Sequence, residues 1–354
     1  MDVTEKIKLV VKDPTEEVVT QEELVNLFNT NPNPKHYIGL EISGFLHLGS
    51  LILTGFKVND FIKAGAKCTV FLADWHTYIN NKLGGDWGTI RMVSKYYADA
   101  FKLFCPGAQI LEGSQLYESR KGYWMDLVKF AKNMSLDRTM RSLTIMGRSE
   151  KDKIDLGQLF YPPMQAVDIH TMDLDIVHAG MDQRKIHMLV REIFPKMKWK
   201  VPVAVHHHIL AGLGEPEAAG SDSEFVASKM SKSKSSSGIF IHDSDEEINS
   251  KFKKAWCPEG VIKQNPVLEI VRYIIFHEFS EVNVERPAKF GGNITYASYQ
   301  DLERDFAQKK LHPSDLKATT AKYVIDIIKP IREKLVLTKE IREAIKKTMR
   351  LVSF

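Results

Sequence analysis

The sequence predicts an α/β protein in which a parallel sheet with crossover helices is followed by a mainly α-helical segment. Three observations predict it. Short apolar runs bounded by turn residues alternate with amphipathic stretches between residues 37 and 210. A stretch rich in Gly, Ser, Ala and Lys interrupts this pattern at 214–238. Beyond residue 244 apolar residues recur at helical spacing with little strand character.

Residues 1–35 read as an N-terminal extension of short helices. Thr20-Gln21-Glu22-Glu23 fits a capping box, with Leu24, Leu27 and Phe28 at helical spacing behind it, and Asn31-Pro32-Asn33-Pro34 stops that helix. Residues 37–42 form the first strand candidate and Ser43-Gly44 the turn after it. Helix 51–64 carries Leu51, Leu53, Phe56, Val58, Phe61 and Ile62 on its apolar positions, and Gly65 ends it. The second strand follows at 68–73, then an amphipathic helix over Trp87–Phe104 that Pro106-Gly107 stops. Strands are expected again at 109–111, 174–177 and 201–210, with a mostly helical insertion at 115–160 and a helix at 183–194. Near the C-terminus Val324, Ile327, Ile328 and Ile331 make one apolar stripe, which Pro330 is expected to kink or interrupt. The expected division is residues 1–35, 36–243 with the mobile loop 214–238, and 244–354.

The 354 residues are 44% hydrophobic and 27% charged, ordinary for packed domains and too apolar for disorder. No apolar stretch approaches the roughly 20 residues of a membrane span, and no secretory signal pattern is present. Cys68, Cys105 and Cys257 lie far apart with no CxxC, which points to a reducing, cytoplasmic setting and away from a disulfide framework or a structural zinc. The net charge of +4 is mild, but nine Lys/Arg against four Asp/Glu fall in 321–354, and seven basic against three acidic residues in 118–148. Such clusters suit a phosphate-binding face, although solvated helices also produce them.

Four segments carry chemistry. Gly44-Phe45-Leu46-His47-Leu48-Gly49-Ser50 lies between the first strand and the next helix, where backbone N–H groups and the helix dipole favour phosphate. Its plain alternative is an N-capping Ser50 beside a surface histidine. Lys229-Met230-Ser231-Lys232-Ser233-Lys234 sits in the Gly/Ser-rich loop, where clustered lysines on a flexible segment suit a triphosphate. In Tyr161-Pro162-Pro163-Met164-Gln165-Ala166-Val167-Asp168, Tyr, Gln and Asp stand at i, i+4 and i+7, one helical face that either makes a buried network or lines a polar pocket. Asp182-Gln183-Arg184-Lys185 follows the fourth strand, at the carboxyl edge where ligands of such sheets bind.

HLGS after the first strand and KMSKS after the last together resemble the two defining motifs of class I aminoacyl-tRNA synthetases, with Ser50 in place of the last histidine of HIGH. The 161–168 and 180–187 segments resemble the tyrosyl-tRNA synthetases of archaeal and eukaryotic type, as do Lys289-Phe290-Gly291-Gly292 and Leu311-His312-Pro313-Ser314-Asp315. The resemblance runs from about Tyr37 to about Leu335. It implies a Rossmann-like catalytic domain, ATP-dependent tyrosine activation, and transfer to tRNA(Tyr). Carried over by position, it implies His47, Lys229 and Lys232 as catalytic residues, and Tyr161, Gln165 and Gln183 on the amino and carboxylate groups of tyrosine. Asp168 and Tyr37 would bind the phenol. Gly39, Gly49, Ser50, Asp182, Met230, Ser231, Ser233 and Lys234 would bind ATP, which arrives with Mg²⁺ as co-substrate. Arg141, Arg184 and Lys185 would contact the tRNA acceptor stem, and Phe290, His312 and Asp315 would read its anticodon. A homodimer through the helical insertion is also implied, and the length is expected to leave no room for an editing domain.

His206-His207-His208 does not read as a metal site, because consecutive strand residues point to alternating faces. The rivals are a tryptophanyl-tRNA synthetase, a non-catalytic RNA-binding paralogue, and a small nucleotidyltransferase. Asp168 with Tyr37 favours a phenol over an indole, and KMSKS has no use in a pure RNA binder.

Overall fold

The computed structural model describes residues 1–147, 153–216, 230 and 238–351. The chain divides into two compact units, one of residues 1–44, 57–208 and 337–354 and the other of residues 45–56 and 209–336.

The first unit is built on a six-stranded sheet in the order β1-β6-β5-β2-β3-β4. Its strands are β1 (Thr15–Val19), β2 (Lys35–Leu40), β3 (Lys67–Leu72), β4 (Gln109–Glu112), β5 (Ile176–Gly180) and β6 (Val203–His207). All neighbours from β6 to β4 are parallel, and β1 lies antiparallel on β6. Helices α1 (Val3–Val11) and α2 (Gln21–Thr30) flank β1, and α3 (Thr54–Lys63), α4 (Asp74–Ile79) and α5 (Trp87–Phe104) fall between β2 and β4. The helical insertion holds α6 (Gly113–Ser119), α7 (Tyr123–Ala131) and α8 (Leu136–Ser142), and α9 (Tyr161–Thr171) and α10 (Arg184–Ile193) bracket β5. The strands bury both faces, as parallel strands under helices must; Val70, Phe71, Leu72, Ile176, Val177, Ala204 and Val205 are all in the core. The chain steps from β2 outward to β3 and β4, then returns to place β5 on the other side of β2. That reversal opens a crevice at the carboxyl ends of β2 and β5.

The N-terminal extension differs from the sequence expectation. It is not helical throughout, because Thr15–Val19 forms β1 and pairs Val19 with Ala204 and Thr15 with His207. The strand is short and acidic, and it exists because β6 offers an otherwise open edge. The expected cap is present: Glu23 N–H donates to Thr20 Oγ1 at 3.3 Å and Thr20 N–H to Glu23 Oε2 at 3.4 Å. The three consecutive histidines alternate as strand geometry requires. His206 reaches His187 and Glu17, His207 reaches His178, and His208 reaches Glu16.

Lys57 fastens α1 to this unit. It is fully buried, and its ammonium donates to the carbonyls of Leu9 (3.0 Å), Val10 (3.0 Å) and Lys12 (3.1 Å) and to Asp60 Oδ2 (3.1 Å). It thereby satisfies carbonyls at the end of α1 that have no helical partner. Lys57→Met removes the cation and keeps the stem, so Asp60 loses its buried ammonium. The expected loss is about 3–5 kcal/mol of stability, read from denaturant midpoints; a loss below about 1 kcal/mol contradicts this role.

In the second unit backbone hydrogen bonds pin Met230 and residues 239–241. Met230 N–H donates to the Leu210 carbonyl at 2.8 Å, and residues 239–241 run beside HLGS, with Leu48 N–H to the Ile239 carbonyl and Ile241 N–H to the Leu46 carbonyl, both 3.0 Å. The remainder is mainly helical, including Asp245–Lys254 and Pro313–Arg332. Pro330 does not end the latter helix: it falls in the last turn, where one missing N–H removes one bond only. Strand character, not expected here, appears as the hairpin of β7 (Val282–Val284) and β8 (Ile294–Tyr296). The helix Lys339–Leu351 belongs to the first unit and packs on α5.

Candidate active site

In the first unit α9 begins with Tyr161 and places Pro162 and Pro163 in its first turn, where the absent N–H groups cost nothing. The i, i+4, i+7 face then brings Tyr161, Gln165 and Asp168 to one side. Tyr161 and Asp168 are buried. Gln165 Nε2 donates to Gln183 Oε1 at 3.3 Å, and Gln183 Nε2 donates to the Ile145 carbonyl at 2.8 Å. Tyr37 on β2 is buried with Gln165 hydrogen-bonded to its side chain, and burial followed by the nearby Asp168 charge holds its phenol protonated. Gly39, two residues on, lies under the Tyr37 ring. A Cβ there would come 3.3 Å from Tyr37 Cε2, so a side chain at 39 would displace the ring. Tyr37, Gly39, Tyr161, Gln165, Asp168, Asp182 and Gln183 all belong to this unit.

Asp168 is the electrostatic centre. Its Oδ1 accepts from Tyr123 Oη at 2.7 Å and its Oδ2 from Tyr117 Oη at 3.3 Å. Burial pushes its carboxyl up to about 8, while the two phenols act in the opposite direction. His76 Nε2 lies 3.8 Å from Oδ2, beyond hydrogen-bond reach. Burial pushes its imidazole down to about 4, so His76 is neutral beside the carboxyl. Asp74, from the same helix, accepts from Ser114 N–H at 3.0 Å and Ser114 Oγ at 2.5 Å. Tyr117 and Tyr123 come from the helical insertion, where the sequence showed only ordinary aromatic positions.

Arg184, the first residue of α10, pairs with Glu17 of β1 through Nε at 2.8 Å and Nη2 at 2.9 Å. The guanidinium, then His206, holds the Glu17 carboxyl below its ordinary range. Glu17 had no sequence signal, since a lone acid in a short strand reads as solvent-facing. Lys185 and Arg141 are exposed.

In the second unit the HLGS turn is organised by His47. The imidazole Nδ1 accepts from Gly49 N–H at 3.2 Å, and Ser50 Oγ accepts from His47 N–H at 2.9 Å. His47 is therefore the buried N-cap of the π-helical turn Leu48–Leu53, and Ser50 completes the box; the alternative of a capping Ser50 with a surface histidine does not hold. With Nδ1 accepting, the proton of the neutral ring sits on Nε2. Gly49 is tight: a Cβ would meet His47 Cε1 at 3.2 Å. Met230 is buried, whereas Lys229, Ser231, Lys232, Ser233 and Lys234 lie outside the described residues. His312 is the N-cap of Pro313–Arg332 through Ser314 N–H to Nδ1 at 3.2 Å, with Asp315 in its first turn. Phe290 ends the short helix Ala288–Phe290, and its side chain lies outside the described residues.

The family model of tRNA synthetases class I (W and Y) matches residues 29–329, a span that takes in the parallel sheet and the HLGS turn. The chain belongs to that family. Among its relatives, the tyrosine--tRNA ligase of Pyrococcus furiosus is 46% identical over 360 residues, covering 94% of this chain and 95% of that protein. The tyrosine--tRNA ligase of Pyrococcus horikoshii is 47% identical over 362 residues, with 94% and 95% covered. The crystal structure of tyrosyl-tRNA synthetase from Pyrococcus horikoshii complexed with L-tyrosine superposes with TM-score 0.90 at 45% identity, covering 99% of this chain and 100% of that one. Plasmodium falciparum tryptophanyl-tRNA synthetase, at 17% identity and TM-score 0.68, shares the fold alone.

Proposed function

We propose that this protein is a tyrosine--tRNA ligase that activates L-tyrosine with ATP and transfers it to tRNA(Tyr). The observation that carries the reading is the buried Asp168 on α9, in the same sheet unit as Tyr37 and the Gln165–Gln183 pair. In that reading the phenol of tyrosine donates to Asp168, while Tyr161, Gln165 and Gln183 hold the amino and carboxylate groups. A carboxylate oxygen of tyrosine attacks the α-phosphorus of ATP in line, the bond to the bridging oxygen breaks, and pyrophosphate leaves with its electrons. The 3′-terminal ribose hydroxyl of tRNA then attacks the carbonyl of tyrosyl-adenylate, and AMP departs. No side-chain nucleophile is needed, because positioning and charge stabilisation suffice.

His47 Nε2–H, Lys229 and Lys232 stabilise charge on the phosphates, and Lys234 shares that role. Gly39, Gly49, Ser50, Asp182, Met230, Ser231 and Ser233 hold ATP, which carries Mg²⁺. Arg184, Lys185 and Arg141 contact the acceptor stem, and Phe290, His312 and Asp315 in the helical segment read the anticodon. No helix of the described residues is long and apolar enough to cross a membrane, and work on tRNA fits a cytoplasmic protein.

The test is charging of tRNA(Tyr) by the purified protein. Tyrosyl-tRNA is the expected product; retained RNA binding with no charging favours the silent paralogue. The tryptophanyl reading is disfavoured by Asp168, which asks for a donor at the ring's far end.

The same proposal includes a homodimer. On α7, Trp124, Met125 and Val128 are 48%, 63% and 62% exposed, and Leu136 beside it in sequence is 63% exposed. Trp124 and Val128 lie one helical turn apart, so the exposed apolar groups gather rather than scatter. The proposed occupant is a second copy of this chain, through the helical insertion. Val128→Glu is expected to convert dimer to monomer in sedimentation equilibrium; an unchanged dimer moves the interface elsewhere.

A further inference from the structure

The residues assigned so far leave the two phenols on Asp168 without a role. Tyr123 and Tyr117 are buried, with ring centroids 4.2 Å apart. They approach opposite oxygens of the carboxyl, at 2.7 and 3.3 Å. Tyr123 opens α7 and Tyr117 lies in α6, so both are delivered by the insertion rather than by the sheet. Satisfying one buried acid does not demand two phenols from two further helices. Their effect on chemistry is specific: a phenol whose pKa is itself driven upward by burial donates its proton and does not give it up.

We propose that Tyr117 and Tyr123 are specificity-determining positioning residues, which bias the buried Asp168 towards its ionised, hydrogen-bond-accepting form so that an amino acid entering the site must donate from the far end of its ring. The inference rests on the tyrosine-activating reading above and deepens it. With both oxygens accepting hydrogen bonds from the protein, the lone pairs that remain are open only to a further donor. Tyrosine supplies one. Phenylalanine leaves a buried charge facing a hydrocarbon edge, the costly arrangement. If Asp168 carried a proton instead, the acid would be neutral and the penalty on phenylalanine would shrink.

The groups facing Asp168 come from every side. Asp74 and His76 approach from α4, Tyr37 from β2, Tyr117 from α6 and Tyr123 from α7. Asp74 disfavours ionisation, and His76 is neutral in its buried site, so it supplies no positive charge. Among the described residues the two phenols are therefore the hydrogen-bond donors that oppose burial at Asp168. The sign follows. A hydrogen bond to the ionised form favours that form, so removing Tyr123 Oη moves the titration of Asp168 to higher pH.

The experiment compares the intact protein with Tyr123→Phe and Tyr117→Phe, which keep the rings, across pH 6–9. Tyrosine-dependent and phenylalanine-dependent ATP–pyrophosphate exchange give kcat/KM for each substrate, and ¹³C NMR of carboxyl-labelled aspartate follows Asp168 in the ligand-free protein. For Tyr123→Phe the expected result is a preference for tyrosine over phenylalanine reduced about tenfold at pH 8, where the intact carboxyl is substantially ionised. Its tyrosine kcat/KM should recover towards pH 9, and the Asp168 resonance should titrate at higher pH. Tyr117→Phe, with the longer bond, is expected to move both readouts in the same direction by less. A purely structural role lowers thermal stability and leaves the preference and the titration where they were, and that result overturns the proposal. The NMR titration is independent of substrate: if the intact protein fails to use tyrosine, the function reading falls, while the hold on Asp168 is still decided by the resonance.

Discussion

Asp168→Asn is expected to lower kcat/KM for tyrosine in ATP–pyrophosphate exchange by about 10²–10³-fold. A hydrogen bond to a buried charged group is worth about 1.5–3 kcal/mol, and a stranded buried donor adds about 1–3 kcal/mol. The asparagine amide turns its NH₂ towards one of the two phenols that now donate to Asp168, so that phenol has to give up its present bond and accept instead. The substrate phenol loses the charged acceptor as well. Most of the effect is expected in KM, since the phenol is far from the α-phosphorus and its contact is equally strong before and during reaction. A change below about threefold means that Asp168 does not receive the substrate hydroxyl.

The second large effect has the opposite kinetic signature. Lys229→Ala and Lys232→Ala are each expected to lower kcat of tyrosine activation by about 10²–10³-fold, with KM for tyrosine nearly unchanged. Charge accumulates on the departing pyrophosphate only as the bond to the α-phosphorus breaks, so a cation on that group acts chiefly in the transition state. If both lysines serve one triphosphate, the double variant loses less than the product of the two single losses. Unchanged exchange in both single variants removes the KMSKS segment from the mechanism. Three variants thus separate two functions, recognition in KM and phosphate chemistry in kcat.

How much of this was visible in the residues depends on how local each signal was. The helix Trp87–Phe104, the capping box at Thr20 and the 161–168 face follow from spacing and cap chemistry within a few residues, and the structure has all three. Strand β1 was not legible. Its five residues include two acids, and its partner β6 lies almost 190 positions away, as the pair Glu17–His206 shows. Residues 45–56 group with residues 209–336, and no local pattern announces that. At the HLGS turn the alternative of a capping Ser50 gives way to a capping His47, because a histidine ring accepting from Gly49 N–H competes with the serine that propensity favours. Tyr117 and Tyr123 were missed for a different reason. Tyrosines in amphipathic helices are ordinary core residues, and only their approach to Asp168 from two helices distinguishes them.

That difference also sharpens the view of the N-terminus. Glu17 joins Arg184 and, through His206, His187, so β1 reaches the residue next to Gln183 by side-chain contacts. Lys57 fixes α1 from beneath. Residues 1–35 are thus integral to the sheet unit, with β1 completing its edge.

The most direct test of the account is ATP–pyrophosphate exchange by the purified protein with each of the twenty amino acids in turn. The account predicts strong exchange with tyrosine and near-background exchange with phenylalanine and tryptophan. Exchange driven by tryptophan, or none with tyrosine, would contradict it.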